Sequence, residues 1–141
     1  MTNASFTGKT ALISGGASGI GLATAQRLIT QGATVWIADI QDTLGQQIAE
    51  EIGANYLHLD VAKEEEWTSA VELIAGQGQG LHLLMNNAGI AIGGTLETQT
   101  TAEFLQTINI NLLGVFLGCK VCAPLLALSG GGSIVNVSSI W

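Results

Sequence analysis

The sequence predicts an α/β domain, a doubly wound parallel sheet with helices on both faces. Short apolar runs alternate with longer segments of helical periodicity along the whole chain. The runs are apolar at successive positions rather than at every second one, the pattern of strands covered on both sides. A glycine-rich stretch, Ser14-Gly15-Gly16-Ala17-Ser18-Gly19-Ile20-Gly21, separates the first run from the first helical segment.

Taken in order, Thr10 to Ser14 is the first strand, and Gly19 to Thr30 the first helix, stopped by Gly32. Thr34 to Asp39 is a second strand, rich in β-branched and aromatic residues. Asp42 can cap a second helix that runs to about Ile52, with Gly53 closing it. Asn55 to Asp60 is a third strand. Glu64, Glu65 and Glu66 open a third helix with the acidic first turn that its dipole favours. The glycines between Gly76 and Gly80 form a loop rather than a domain linker. Leu81 to Asn86 is the fourth strand, and Asn87 to Gln99 a long loop. Thr100 with Glu103 makes a capping-box pattern for a fourth helix reaching about Leu128. Gly130, Gly131 and Gly132 turn the chain into a fifth strand, Ser133 to Val137. Right-handed crossovers and the early glycine turn make this a Rossmann-type sheet of strand order 3-2-1-4-5.

Composition bounds the function. A chain of 141 residues with 48% hydrophobic and 11% charged residues holds one domain with a real core. Its net charge of −7 argues against nucleic acid and anionic membrane surfaces as partners. The polar start of the chain carries no secretory pattern, and Lys120 and Pro124 interrupt the apolar stretch Leu112 to Leu128. A soluble, cytoplasmic protein is the expectation. Cys119 and Cys122 lie one turn apart in an apolar helical segment, which suits packing better than a metal or redox site, and no metal is expected.

In a sheet of this kind ligands lie beyond the carboxyl ends of the strands. The glycine turn serves a phosphate there, with bare backbone and the unpaired N–H groups of a helix start. Asp39 ends the second strand, where a carboxylate accepts bonds from ribose hydroxyls and repels a 2′-phosphate. Its neighbours Ile40 and Gln41 are uncharged, and the turn has no Lys or Arg, so NAD is expected over NADP.

The spacing of Gly15, Gly19 and Gly21 resembles the fingerprint of the short-chain dehydrogenase/reductase family, with Ser14 in place of the usual Thr. The resemblance runs from about Lys9 to the last residue. It implies cofactor contacts from Gly15, Ser18, Gly19, Ile20, Gly21, Asp39 and Ile40. Asp60-Val61 resembles the family's Asp-Val pair at the adenine ring. Asn86-Asn87-Ala88-Gly89 matches its Asn-Asn-Ala-Gly motif, implying cofactor contacts from Asn87, Ala88 and Gly89. Asn111, three residues before Gly114, resembles the family's helix Asn that holds a water in a proton relay. Ser139, the second of the pair after the fifth strand, resembles the catalytic Ser that bonds the substrate oxygen.

The resemblance implies hydride transfer between nicotinamide and a secondary alcohol or ketone, in a homodimer or homotetramer. The family's acid/base pair is Tyr-x-x-x-Lys, in which the ammonium lets a hydroxyl with a usual pKa of ~10 act near neutrality. No such pair occurs here: the one tyrosine, Tyr56, is followed four residues on by Asp60. Residues 1–141 read as a single dinucleotide-binding domain, incomplete beside a family that usually runs to about 250 residues. An incomplete or cleaved chain is expected, inactive by itself, with an exposed fifth strand that invites aggregation. A truncated product that binds NAD or packs in an oligomer is the other reading.

Overall fold

The computed structural model describes residues 5–139. Its elements are β1 (Thr10–Ser14), α1 (Gly19–Thr30), β2 (Thr34–Asp39), α2 (Asp42–Ile52), β3 (Asn55–His58) and α3 (Glu64–Gly76). They continue with β4 (Leu83–Asn86), α4 (Thr101–Ile108), a π-helical turn (Asn109–Leu113), α5 (Gly114–Leu128) and β5 (Ser133–Asn136). The strands form one parallel sheet in the order β3-β2-β1-β4-β5, as the sequence predicts.

Alternation along each strand splits the core in two. Leu12, Leu57 and Leu84 face Trp67 and Ile74 of α3 and Leu117 and Cys122 of α5. Ala11, Ile13, Val35 and Ile37 face Ala25 and Leu28 of α1 and Ala49 of α2. Trp67 is fully buried, and its Nε1–H donates to the Val61 carbonyl at 3.0 Å, so its one polar atom is satisfied. Burying such a ring removes roughly 200 Å² of apolar surface, about 5 kcal/mol as an upper bound.

Several element boundaries differ from the sequence reading, each for a local reason. Strand β3 stops at His58, because that residue pairs with Asp39, the last residue of β2. Strand β4 starts at Leu83, since the Thr10 N–H donates to the His82 ring Nδ1 at 3.1 Å rather than to a neighbouring carbonyl. Strand β5 ends at Asn136, although the Val137 N–H still reaches the Asn86 carbonyl at 2.9 Å. Asp42 is not a cap. It is the first residue of α2, after Gln41, which makes no side-chain cap bond. The Asp42 carboxylate instead meets the Tyr56 hydroxyl at 2.7 Å and His58 Nδ1 at 2.8 Å. Gly53 does end α2, in the left-handed conformation (φ 75°) that glycine adopts without strain.

The capping box is formed: Thr100 Oγ1 accepts the Glu103 N–H at 3.2 Å, and Glu103 Oε2 accepts the Thr100 N–H at 2.8 Å. The helix it opens is not uniform. At Asn109–Leu113 it widens into a π turn, in which the Gly114 N–H reaches back five residues to the Asn109 carbonyl. By length and composition alone, Thr101–Leu128 is apolar enough to cross a membrane. One stripe of it, including Leu117, Cys122 and Leu126, is packed on the sheet and α3, and Lys120 pairs with Glu64 of α3 at 2.6 Å. Phe104, Leu112 and Phe116 on other faces are exposed. Strand β5 is an exposed edge, with Ile134 and Val135 on its surface.

Candidate functional site

A cleft of about 420 Å³ opens at the carboxyl ends of the strands. Its floor is the turn between β1 and α1. Gly15 has φ 62°, and a Cβ there would lie 2.9 Å from the Ala88 Cα, so the turn is pressed against the end of β4. Helix α1 begins without a side-chain cap, since Ser18 makes no such bond. Ser18, Gly19 and Ile20 are exposed on the cleft wall, and the first N–H groups of a helix have no partner within it. The helix dipole adds partial positive charge at the same place. Backbone donors, room and positive potential therefore coincide, which is what an anionic diphosphate requires.

Side chains at the ends of β1 and β4 hold the cleft floor in shape. Ser14 Oγ donates to the Met85 carbonyl at 3.4 Å and accepts the N–H groups of Asn87 and Ala88. Asn87 Nδ2 donates back to the carbonyls of Ser14 at 3.1 Å and Gly15 at 3.0 Å. The end of β1 is thus stitched to the end of β4. Gly21 does not line the cleft; it is buried beneath the turn, where a Cβ would strike the Gly15 carbonyl and Asn87 Nδ2.

Asp39 is buried at 7% exposure and lies on the cleft wall. Its Oδ2 accepts the Ala17 N–H at 3.2 Å, and its Oδ1 accepts the Gln41 N–H at 3.1 Å. The carboxylate is held by the backbone on both sides, and among the described lining residues no Lys or Arg faces it. Asp60 and Val61 close the same end. Asp60 Oδ1 accepts the Ala62 N–H at 3.1 Å, and its own N–H donates to Glu66 Oε2 at 2.6 Å. Glu66 lies below the usual glutamate range; burial alone would raise it, but the Asp60 N–H and Lys63 hold it down. Ile40, Asn87, Ala88 and Gly89 complete the predicted set on the wall.

Asn111 stands behind the wall rather than on it. Its Oδ1 accepts the Ile90 N–H at 2.8 Å, and its Nδ2 donates to the Ile90 carbonyl at 2.7 Å. The side-chain amide expected to hold a water is engaged by one peptide group. The π turn displaces Asn111 from a regular helical position, and Ile90, the residue so held, lines the cleft. Ser139 is exposed just beyond β5 and is not among the lining residues, whereas Val137 is.

Sequence reasoning missed Gln41, Leu59 and Ile110 on the wall, and it missed Tyr56 behind Asp39. The Tyr56 O–H lies 2.8 Å from the Asp39 carbonyl, and its ring covers Gly45 of α2. A glycine inside a helix opposite a strand tyrosine is the signal that could have revealed the contact.

Set beside known proteins, the chain is 42% identical over 135 residues to a 3-alpha-(or 20-beta)-hydroxysteroid dehydrogenase of Mycobacterium tuberculosis, covering 94% of this chain and 52% of that protein. It is also 42% identical to a trans-4-hydroxycyclohexanecarboxylate dehydrogenase of Sinomonas cyclohexanicum, covering 94% of this chain and 55% of the relative. The chain spans about half the length of these relatives. Among solved structures, the crystal structure of gox2181 superposes with a TM-score of 0.93 at 28% identity, over 99% of this chain and 57% of the other. The family model of the short chain dehydrogenases matches residues 9–141. With its strand order, glycine turn and strand-end cleft, the chain belongs to the short-chain dehydrogenase family.

Proposed function

We propose that this chain is the cofactor-binding part of an NAD-dependent oxidoreductase acting on a secondary alcohol or ketone. The observation that carries the proposal is the pairing of an uncapped helix start with the buried Asp39 carboxylate on one cleft. Gly15, Ser18, Gly19 and Ile20 present backbone to the diphosphate, and Gly21 lets α1 pack close behind it. Asp39 accepts from the adenosine ribose hydroxyls and disfavours a 2′-phosphate. Ile40, Asp60 and Val61 flank the adenine, while Asn87, Ala88 and Gly89 flank the inner half of the cofactor. When bound, a nicotinamide cofactor supplies the hydride chemistry. Ser139 donates to the substrate oxygen in this reading, and Asn111 serves by fixing the Ile90 peptide beside the cleft.

A second reading has its own observation, the lack of any Tyr-x-x-x-Lys in these 141 residues. The chain would then bind NAD without turnover, or pack through its exposed apolar helix face in a homo-oligomer. The unpaired thiols of Cys119 and Cys122 fit a reducing, cytoplasmic setting for either reading. Calorimetric titration with NAD and NADP tests the shared premise, with tighter binding of NAD expected. Absence of NAD binding would refute it. NADH production by the mass-verified 141-residue chain from a panel of secondary alcohols would refute its inactivity.

A further inference from the structure

We propose that Tyr56 is a positioning residue that holds Asp39 in place from behind and so sharpens discrimination at the ribose 2′ position. The inference rests on the reading of Asp39 as the ribose-binding carboxylate. Tyr56 does not line the cleft. Its O–H stands 2.8 Å from the Asp39 carbonyl and 2.7 Å from Asp42 Oδ1, one proton shared between two acceptors. The ring is fixed against α2, because the three atoms nearest a Cβ on Gly45 all belong to it.

Asp39 is the last residue of β2, so its carbonyl faces β3 while its carboxylate meets the glycine turn. Two donors hold that carbonyl, the Leu59 N–H at 3.1 Å and the Tyr56 O–H. Losing the hydroxyl leaves one donor and lets the terminal peptide rotate. Rotation there moves the carboxylate away from the Ala17 N–H. A displaced carboxylate both grips ribose hydroxyls less well and repels a 2′-phosphate less strongly. The two effects change the ratio of affinities, whereas a general loosening of the fold would weaken both cofactors alike.

Asp42 supplies an internal control. It competes with the Asp39 carbonyl for the Tyr56 proton, so removing its carboxylate releases that proton to Asp39. If Tyr56 merely tethers β3 to α2, removing either end of the tether has the same effect.

The test titrates NADH and NADPH separately into the intact chain, following nicotinamide fluorescence, for the unchanged protein and for Tyr56→Phe, Asp42→Ala and Asp39→Ala. The unchanged chain is expected to prefer NADH, and Asp39→Ala to abolish the preference. Tyr56→Phe is expected to weaken NADH about threefold to tenfold, the worth of one hydrogen bond, with NADPH no weaker. Asp42→Ala is expected to raise the preference. Equal weakening of both cofactors by Tyr56→Phe, no change, or parallel losses in Tyr56→Phe and Asp42→Ala would overturn the proposal while leaving the Asp39 reading intact. If Tyr56→Phe does not fold, Asp42→Ala decides alone: a raised preference supports the proposal, and an unchanged or lost one overturns it. A preference that survives Asp39→Ala, or no NADH binding by the unchanged chain, overturns both.

Discussion

The Oγ of Ser14 accepts the peptide N–H of Asn87 at 3.1 Å, joining the ends of two neighbouring strands through one hydroxyl. The same oxygen takes the Ala88 N–H at 3.2 Å, and Ser14 is 1% exposed. Ser14→Ala therefore strands two backbone donors. We expect a loss of about 2 kcal/mol in stability by urea denaturation. An unchanged midpoint would show that the β1–β4 junction does not depend on this hydroxyl.

Gly45 and Tyr56 give a prediction that changes sign. A Cβ on Gly45 would stand 2.6 Å from the Tyr56 Cδ2. Gly45→Ala alone is expected to destabilise by about 1–3 kcal/mol through overpacking. In a Tyr56→Ala background the obstruction is gone, and the same change should stabilise α2 by about 1 kcal/mol through helix propensity. A double-mutant cycle on thermal unfolding measures the coupling; additive effects would remove the steric account.

Asn111→Ala breaks both bonds to the Ile90 peptide. Hydrogen exchange at the Ile90 amide should then speed up by about tenfold or more, while exchange in β1 and β2 holds. Uniform acceleration across the sheet would mean that Asn111 supports the whole fold rather than this loop.

The two cysteines are chemically unequal. Cys122 is fully buried, and burial, with the neighbouring Cys119, pushes its thiol up to about 12. Cys119 is partly exposed. A thiol reagent at mildly alkaline pH should modify Cys119 alone in the native chain, with Cys122 reacting only in denaturant, as peptide mass spectrometry would report. The raised value means that Cys122 stays protonated, and so unreactive, at a pH where an ordinary thiol ionises. Early labelling of Cys122 would show that α5 opens readily.

Much of the fold is legible in the sequence because the signals are local. Strand β1, helix α1 and strand β2 have their expected bounds, since an apolar run, a glycine turn and a second apolar run leave little choice. The Thr100–Glu103 box is equally local. The ends of β3 and β4 were less legible, because a strand stops where its partner stops, and His82 spends its ring nitrogen on Thr10. Asp42 has the chemistry of a cap, but Tyr56 and His58 claim its carboxylate from another element. The π turn was invisible for a similar reason. Nothing in Asn109-Ile110-Asn111-Leu112-Leu113 dictates it, and the Asn111 grip on Ile90 becomes visible only once the loop is placed. The cleft residues were legible as a set because strand ends converge, whereas Tyr56 acts through a backbone carbonyl and leaves no motif.

That π turn works as slack in the spiral. Five residues spanned by one bond hold one residue more than an α-helical turn does, so the surplus is taken up locally and the segments on either side keep their facing. Excising one residue between 109 and 113 would close the turn to regular α-helix and leave Leu117 and Cys122 in their places on the sheet. One-residue deletions should therefore be better tolerated there than in the neighbouring turns, where each would rotate the rest of the helix by about 100°.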